Sequence, residues 1–308
     1  MITSFFKVSK PYHYILFLLF VTFIFFYQSY HEIYPVETVG FLEIFLKFLS
    51  LLITLFFVVF IITKNNLTQN NSFAAFYFCL FIFLFPQSIT KSEVLISNMF
   101  ILLSFRRILS LSRKTNFKKK YFDAGIWLFL ATFFYPLSLF FILPILIGII
   151  TWKTDALSNF FALILGPIML LCLIKLVNVI FNISIPAIVY EVKMINYEFI
   201  SSVNFGLKAI TLVFISFVAL SILMIIKQTI LKNNQKKILF SVLFLMSLSS
   251  FAIIFTSTNY VPYNFLFSFF PAAIMVANFT QNKKISWISD IFILIIIGVY
   301  IYNFINYN

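Results

Sequence analysis

The sequence predicts an all-α, polytopic integral membrane protein of about eleven transmembrane helices, and three observations carry that expectation. Of its 308 residues 62 % are hydrophobic and 10 % charged, whereas a soluble domain is about a quarter charged. With a mean hydropathy of +1.06, the chain has too little polar surface to coat itself in water. Apolar runs approaching the length that crosses about 30 Å of hydrocarbon recur from end to end. Those runs are continuous, as at 15–26 and 291–299. A barrel would alternate apolar and polar residues, so the backbone must pair within helices.

Taken in order, Lys7 and Lys10 precede a first span at about 11–30. It resembles a signal peptide, but no small-residue cleavage site follows, so an uncleaved span is expected. A short acidic loop holds His31, Glu32 and Glu37. The second span, about 41–63, carries Glu43 and Lys47; the third, about 73–86, stops at Pro86. The fourth, about 94–112, runs into Arg106 and Arg107, and the most basic stretch of the chain, through Lys118, Lys119 and Lys120, follows.

The apolar run 124–152 is too long for one upright crossing, and Pro136 lies near its middle, where proline breaks or kinks a helix. Two short passes (about 122–136 and 137–152) or a re-entrant pair are expected. Further spans are expected at about 160–180, 209–226, 238–255, 263–279 and 287–305. This arrangement puts 17 of the 22 Lys and Arg residues on one side, and the positive-inside rule makes that side cytoplasmic. Counting the long run once leaves about 12 against 8, which the same rule disfavours. The N-terminus is then inside and the C-terminus outside. The segment 181–208 is the longest outer loop, where Ile188, Val192, Ile195, Phe199 and Val203 have the spacing of an interfacial amphipathic helix. No broken segment besides Pro136 and no internal repeat stand out, and no soluble domain is expected.

Several classes of function are excluded. The formal charge of +13 sits in clusters between apolar runs, where topology signals belong, so nucleic acid is not an expected partner. Cys79 and Cys172 fall inside apolar runs and suggest neither disulfide nor metal site. Two histidines are too few for a membrane di-iron centre; His13 is expected at the inner interface and His31 in a loop. There is no Walker A sequence, Gly-rich dinucleotide loop, zincin motif or nucleophile elbow. No cofactor is identified; a divalent cation stays open without support. Six glycines give little sign of close small-residue helix crossings.

Charges inside a bilayer cost about 2.5–3.5 kcal/mol each on insertion scales, so each needs a reason. Glu43 and Lys47 are four apart in the order that favours a pair on one helix face; the alternative is that they line a cavity, together with Asn98. Lys175 has no carboxylate within four residues and either snorkels or binds a ligand. Lys47, Lys91 and Lys175 all lie toward the outer leaflet, where a phosphate would account for them. Glu32 and Glu37 are the candidates for a general base or a metal ligand. Arg106 and Arg107 read as the inner anchor of their span. The basic loop 106–120 should meet anionic lipid headgroups, or else dock a cytoplasmic partner.

Two stretches carry a resemblance. One, 95–143, has a span ending in Arg-Arg, a basic loop, and a helix opening Phe122-Asp123-Ala124-Gly125 and returning after Tyr135-Pro136. The other, 260–278, begins Tyr260-Val261-Pro262-Tyr263-Asn264. Both resemble the multi-pass C-type glycosyltransferases, which take sugars from polyprenyl-phosphate donors at the outer face. The resemblance implies Glu32 or Glu37 as the base and the three lysines as phosphate contacts. That family has a longer first outer loop than the roughly nine residues here. The whole chain also resembles uncharacterised bacterial inner-membrane proteins opening Met-Ile-x-x-Phe-Phe, which implies a bacterial inner-membrane location but no activity. The competing expectations are a non-catalytic scaffold of an envelope machine and a transporter or lipid flippase.

Overall fold

The computed structural model describes residues 5–33, 40–113, 115–152, 155–181, 205–229, 234–256, 262–281, 287–295 and 298. These are almost entirely helical, with no strand among them. The helices are α1 (Pro11–Ile33), α2 (Phe41–Lys64), α3 (Phe73–Leu84), α4 (Ser92–Leu109) and α5 (Phe117–Phe134). They continue with α6 (Ile142–Thr151), α7 (Ala156–Phe181), α8 (Phe205–Thr229), α9 (Asn234–Thr256) and α10 (Leu266–Thr280); a further helical stretch covers 287–295. Six helical segments are long and apolar enough to cross a membrane: Pro11–Tyr30, Phe41–Lys64, Ser92–Ser112, Ala156–Phe181, Lys236–Thr256 and Pro262–Thr280. The outer loop expected at 181–208 lies, beyond Phe181, almost wholly outside the described residues.

The bundle has two ends. At one, His13 meets Ser72 across a 3.0 Å hydrogen bond, and Asn278 donates to the Leu67 carbonyl at 2.9 Å. Arg106 and Lys64 both sit 4.8 Å from the Phe60 ring centroid there, and Arg107 pairs with Asp123 at 2.9 Å. We call this the basic end. His13 is fully buried, a packing residue between α1 and the start of α3 at this end. At the other end the chain reverses through three short 3₁₀ turns, Pro86–Ile89, Pro136–Phe141 and Pro262–Phe265.

The long apolar run is a hairpin. Helix α5 ends at Phe134, Tyr135 breaks the helix with φ −143° and ψ 100°, and Pro136 opens the turn. Proline forces its predecessor into extended backbone and withholds the amide a helix would need. The return leg reaches the basic end again, since Gly148 faces Ile108 and Tyr121.

Burial grades from the centre outward. Helix α10 is apolar all round and its span is 89 % buried, packed against α3, α8 and α9, as an all-round apolar helix must be. Helices α2, α4, α5 and α7 form a row in that order, and at its edge the α7 span is only 11 % buried. The α5–α7 crossing uses glycine on both sides. A Cβ at Gly125 would strike the Leu163 carbonyl, and one at Gly166 would lie 2.6 Å from the Phe122 carbonyl. The low glycine count therefore concealed one close backbone contact, because two glycines suffice when they oppose each other.

Candidate functional site

Two of the three turns are built alike. In the first, the Phe85 amide donates to the Phe81 carbonyl at 3.1 Å, Pro86 follows, and the Ser88 amide donates to the Phe85 carbonyl at 2.8 Å. Fifty residues on, Tyr135 donates to Ala131 at 2.9 Å, Pro136 follows, and Ser138 donates to Tyr135 at 3.0 Å. Each is an aromatic-Pro-x-Ser unit ending one helix and starting the next. The sequence held this signal, yet Pro86 registered only as the stop of a span.

The third turn ties the first two together. Phe265 stacks on Phe85 with centroids 4.6 Å apart, and the Tyr135 hydroxyl donates to Asn264 Oδ1 at 2.6 Å. Tyr135 also stacks on Phe267, while Phe141 contacts both Phe267 and Phe105. Asn98 lies seven residues before Phe105 on α4, two helical turns away on the same face, so it looks toward this assembly about 10 Å below the turns.

Several unmatched polar atoms lie at this end. Ser88 Oγ, Ser138 Oγ, Asn264 Nδ2 and both amide atoms of Asn98 are buried without a hydrogen-bond partner among the described residues. Buried polar atoms are nearly always paired, and each unpaired one costs about 1–3 kcal/mol. Lys91 and Glu93 are exposed at the start of α4, with Glu93 in electrostatic reach of the Tyr263 hydroxyl. Exposed charges at the start of α4 thus stand near buried neutral donors and acceptors. Ser88, Ser138, Tyr135 and Asn264 were missed because hydroxyl and amide groups in an apolar run look like ordinary helix residues until packing denies them partners.

Of the residues singled out from sequence, this end brings together Lys91 and Asn98. Lys47 is buried on α2 and pairs with half-exposed Glu43 at 3.1 Å, as the four-residue spacing predicted. Lys175 is exposed on α7, at the far edge of the α2–α4–α5–α7 row from Lys47. Glu32 lies near the end of α1 with its side chain outside the described residues, and Glu37 lies outside them altogether. Arg106 and Arg107 hold the basic end through Phe60 and Asp123. No cluster of three potential metal ligands exists among the described residues.

At the basic end, a cleft of about 510 Å³ is lined by Asn116, Phe117, Lys118, Lys119, Asp155 and Asn159. Asn116 starts α5 from a left-handed backbone with φ 50°, and Lys120 Nζ donates to the Ser110 carbonyl at 2.8 Å, closing the loop between α4 and α5.

No curated protein and no solved structure matches the chain. Its sequence matches a family along residues 5–308, almost its whole length, and so the chain belongs to the Family of unknown function (DUF6427).

Proposed function

We propose that this is an eleven-pass protein of the bacterial inner membrane, with its basic end in the cytoplasm, that acts on a lipid-linked sugar at the outer face as a C-type-like glycosyltransferase. The observation that supports it most is the turn end, where Lys91 and Glu93 are exposed near buried Ser88, Ser138, Asn98 and Asn264, which have polar atoms unpartnered among the described residues. Positive-inside topology turns that end outward. A cation at the rim suits the phosphate of a polyprenyl-phosphate donor, and neutral groups beneath suit what the phosphate carries. In this reading Lys91 is a phosphate contact, and Glu32 or Glu37 in the first outer loop supplies the base.

The test compares envelope glycans and lipid-linked sugars in a deletion strain complemented with wild type or with Glu32→Gln plus Glu37→Gln. Accumulation of a sugar-bearing lipid, cleared by wild type but not by the expressed double variant, is the expected result. Unchanged glycans, or full complementation by the double variant, defeat the transferase reading. A second reading, a lipid flippase or transporter, draws on the three proline-opened turns, since broken helices mark many transport sites. It predicts sugar-lipid movement across proteoliposomes with no change in the lipid's chemistry.

A further inference from the structure

The buried groups at the turn end share one property beyond having polar atoms unpartnered among the described residues: none carries a charge. Ser88, Ser138 and Asn264 are 0 % exposed and Asn98 1 %, while Lys91 and Glu93 stand exposed at the start of α4. A phosphate oxyanion is recognised by cations or by clustered backbone amides, so the buried layer is unsuited to hold one. Serine hydroxyls both donate and accept, and a carboxamide presents a donor beside an acceptor. That mixture matches a group whose own hydroxyls donate and accept.

Two further features favour a built recognition layer over accident. The unpartnered serines occupy equivalent positions in two turns of the same construction, so one local design produces both. Asn264 is oriented: Tyr135 takes its Oδ1 at 2.6 Å, which leaves Nδ2 as a committed donor. The surrounding aromatic pairs, Phe85 with Phe265 and Tyr135 with Phe267, wall the turns with apolar faces.

We infer that Ser88, Ser138, Asn98 and Asn264 form a neutral subsite for a polyhydroxyl ring, a sugar, lying beneath a phosphate held at the rim by Lys91. This rests on the lipid-linked-sugar reading above and divides its substrate into two parts recognised by different chemistry. The phosphate contributes affinity that is the same whatever it carries, and the buried layer contributes the preference for a sugar.

The experiment uses the full chain in lipid nanodiscs, titrated with a polyprenyl phosphate bearing one hexose and with the same polyprenyl phosphate bare. Wild type should prefer the sugar-bearing lipid by about tenfold or more, the scale of two to three hydrogen bonds. In Ser88→Ala plus Ser138→Ala the preference should fall below about threefold, with the thermal midpoint unchanged or raised, because each alanine removes a buried hydroxyl that had no partner. Lys91→Ala should weaken both lipids alike and leave the preference intact. Equal binding of the two lipids by wild type overturns the inference and assigns the polar layer to internal water; so does a double serine variant that keeps the preference. The single serine variants repeat the test should the double one be poorly produced. A sugar preference in a protein whose deletion leaves glycans unchanged removes the transferase reading and keeps the subsite. A glycan phenotype without the preference does the reverse.

Discussion

The Tyr135 hydroxyl donates to Asn264 Oδ1 at 2.6 Å, joining residues 129 apart in sequence and both buried. The bond links the α5–α6 hairpin to the turn that starts α10, the most enclosed helix of the bundle. Removing the donor leaves a buried acceptor stranded, which costs more than the bond itself is worth. Tyr135→Phe should therefore lower stability by about 1–3 kcal/mol, read as a drop in thermal midpoint in detergent. Adding Asn264→Leu should recover part of that loss, because removing both partners is close to neutral. A double variant no more stable than Tyr135→Phe alone would deny the coupling.

The opposed glycines of α5 and α7 make a second prediction. Gly125→Ala and Gly166→Ala each push a methyl group into a backbone carbonyl, at Leu163 and Phe122 respectively. A carbonyl in a helix has nowhere to retreat, so the helices must separate. The expected cost is about 1–3 kcal/mol for either change. Gly40→Ala, with nothing within 4 Å of an added Cβ, is the control and should leave stability nearly unchanged.

The Glu43–Lys47 pair is asymmetric, with side chains 48 % and 9 % exposed. Glu43→Gln takes the carboxylate from a buried ammonium. Breaking a fully buried pair costs about 3–5 kcal/mol, but the exposure of Glu43 brings the expectation down to about 1 kcal/mol. Lys47→Met, which leaves only a half-exposed carboxylate behind, should cost less than Glu43→Gln. Thermal unfolding of the two variants side by side gives the order, and the reverse order would mean that Glu43 is the more enclosed partner.

Orientation follows from labelling. In a Cys172→Ser background, Lys91→Cys should react with a membrane-impermeant maleimide on intact spheroplasts, and Lys118→Cys only after permeabilisation. Both positions are exposed, and they belong to opposite ends of the bundle. The opposite pattern would invert the topology and remove the turn end from the outer face.

Much of the architecture was legible because continuous apolar runs and charged loops are one-dimensional signals. The helix starts near 11, 41, 73 and 92 fall where the runs begin, and Pro136 announced the hairpin by removing an amide. The Glu43–Lys47 pair was readable from its spacing, since residues four apart share a helix face. The candidate site was not readable. Whether Ser138 is a spare helix residue or a stranded hydroxyl depends on which helices close over it, and Asn264 finds Tyr135 only through the tertiary fold. The likeness of the two turns was hidden by composition: with 46 phenylalanines and 15 tyrosines, an aromatic residue before a proline attracts no notice. The glycine crossing was hidden for the opposite reason, since rarity read as absence.

Helix α3 has 12 residues, about 18 Å of rise, against about 30 Å of hydrocarbon. It is tolerated because neighbouring helices, not lipid, surround the place where it stops at Phe85 and the chain turns through Pro86. In the proposed orientation the first turn would then lie below the level of the surrounding headgroups, in a dimple of locally reduced hydrophobic thickness. A lipid whose polar part is to reach Ser88 must be drawn downward relative to its neighbours, against the elastic resistance of the leaflet. Acyl-chain length thus becomes a variable of binding: the same chain in nanodiscs of shorter-tailed phospholipid should hold the sugar-bearing lipid more tightly than in longer-tailed ones. The host membrane would then help set affinity at the turn end, with no residue there altered.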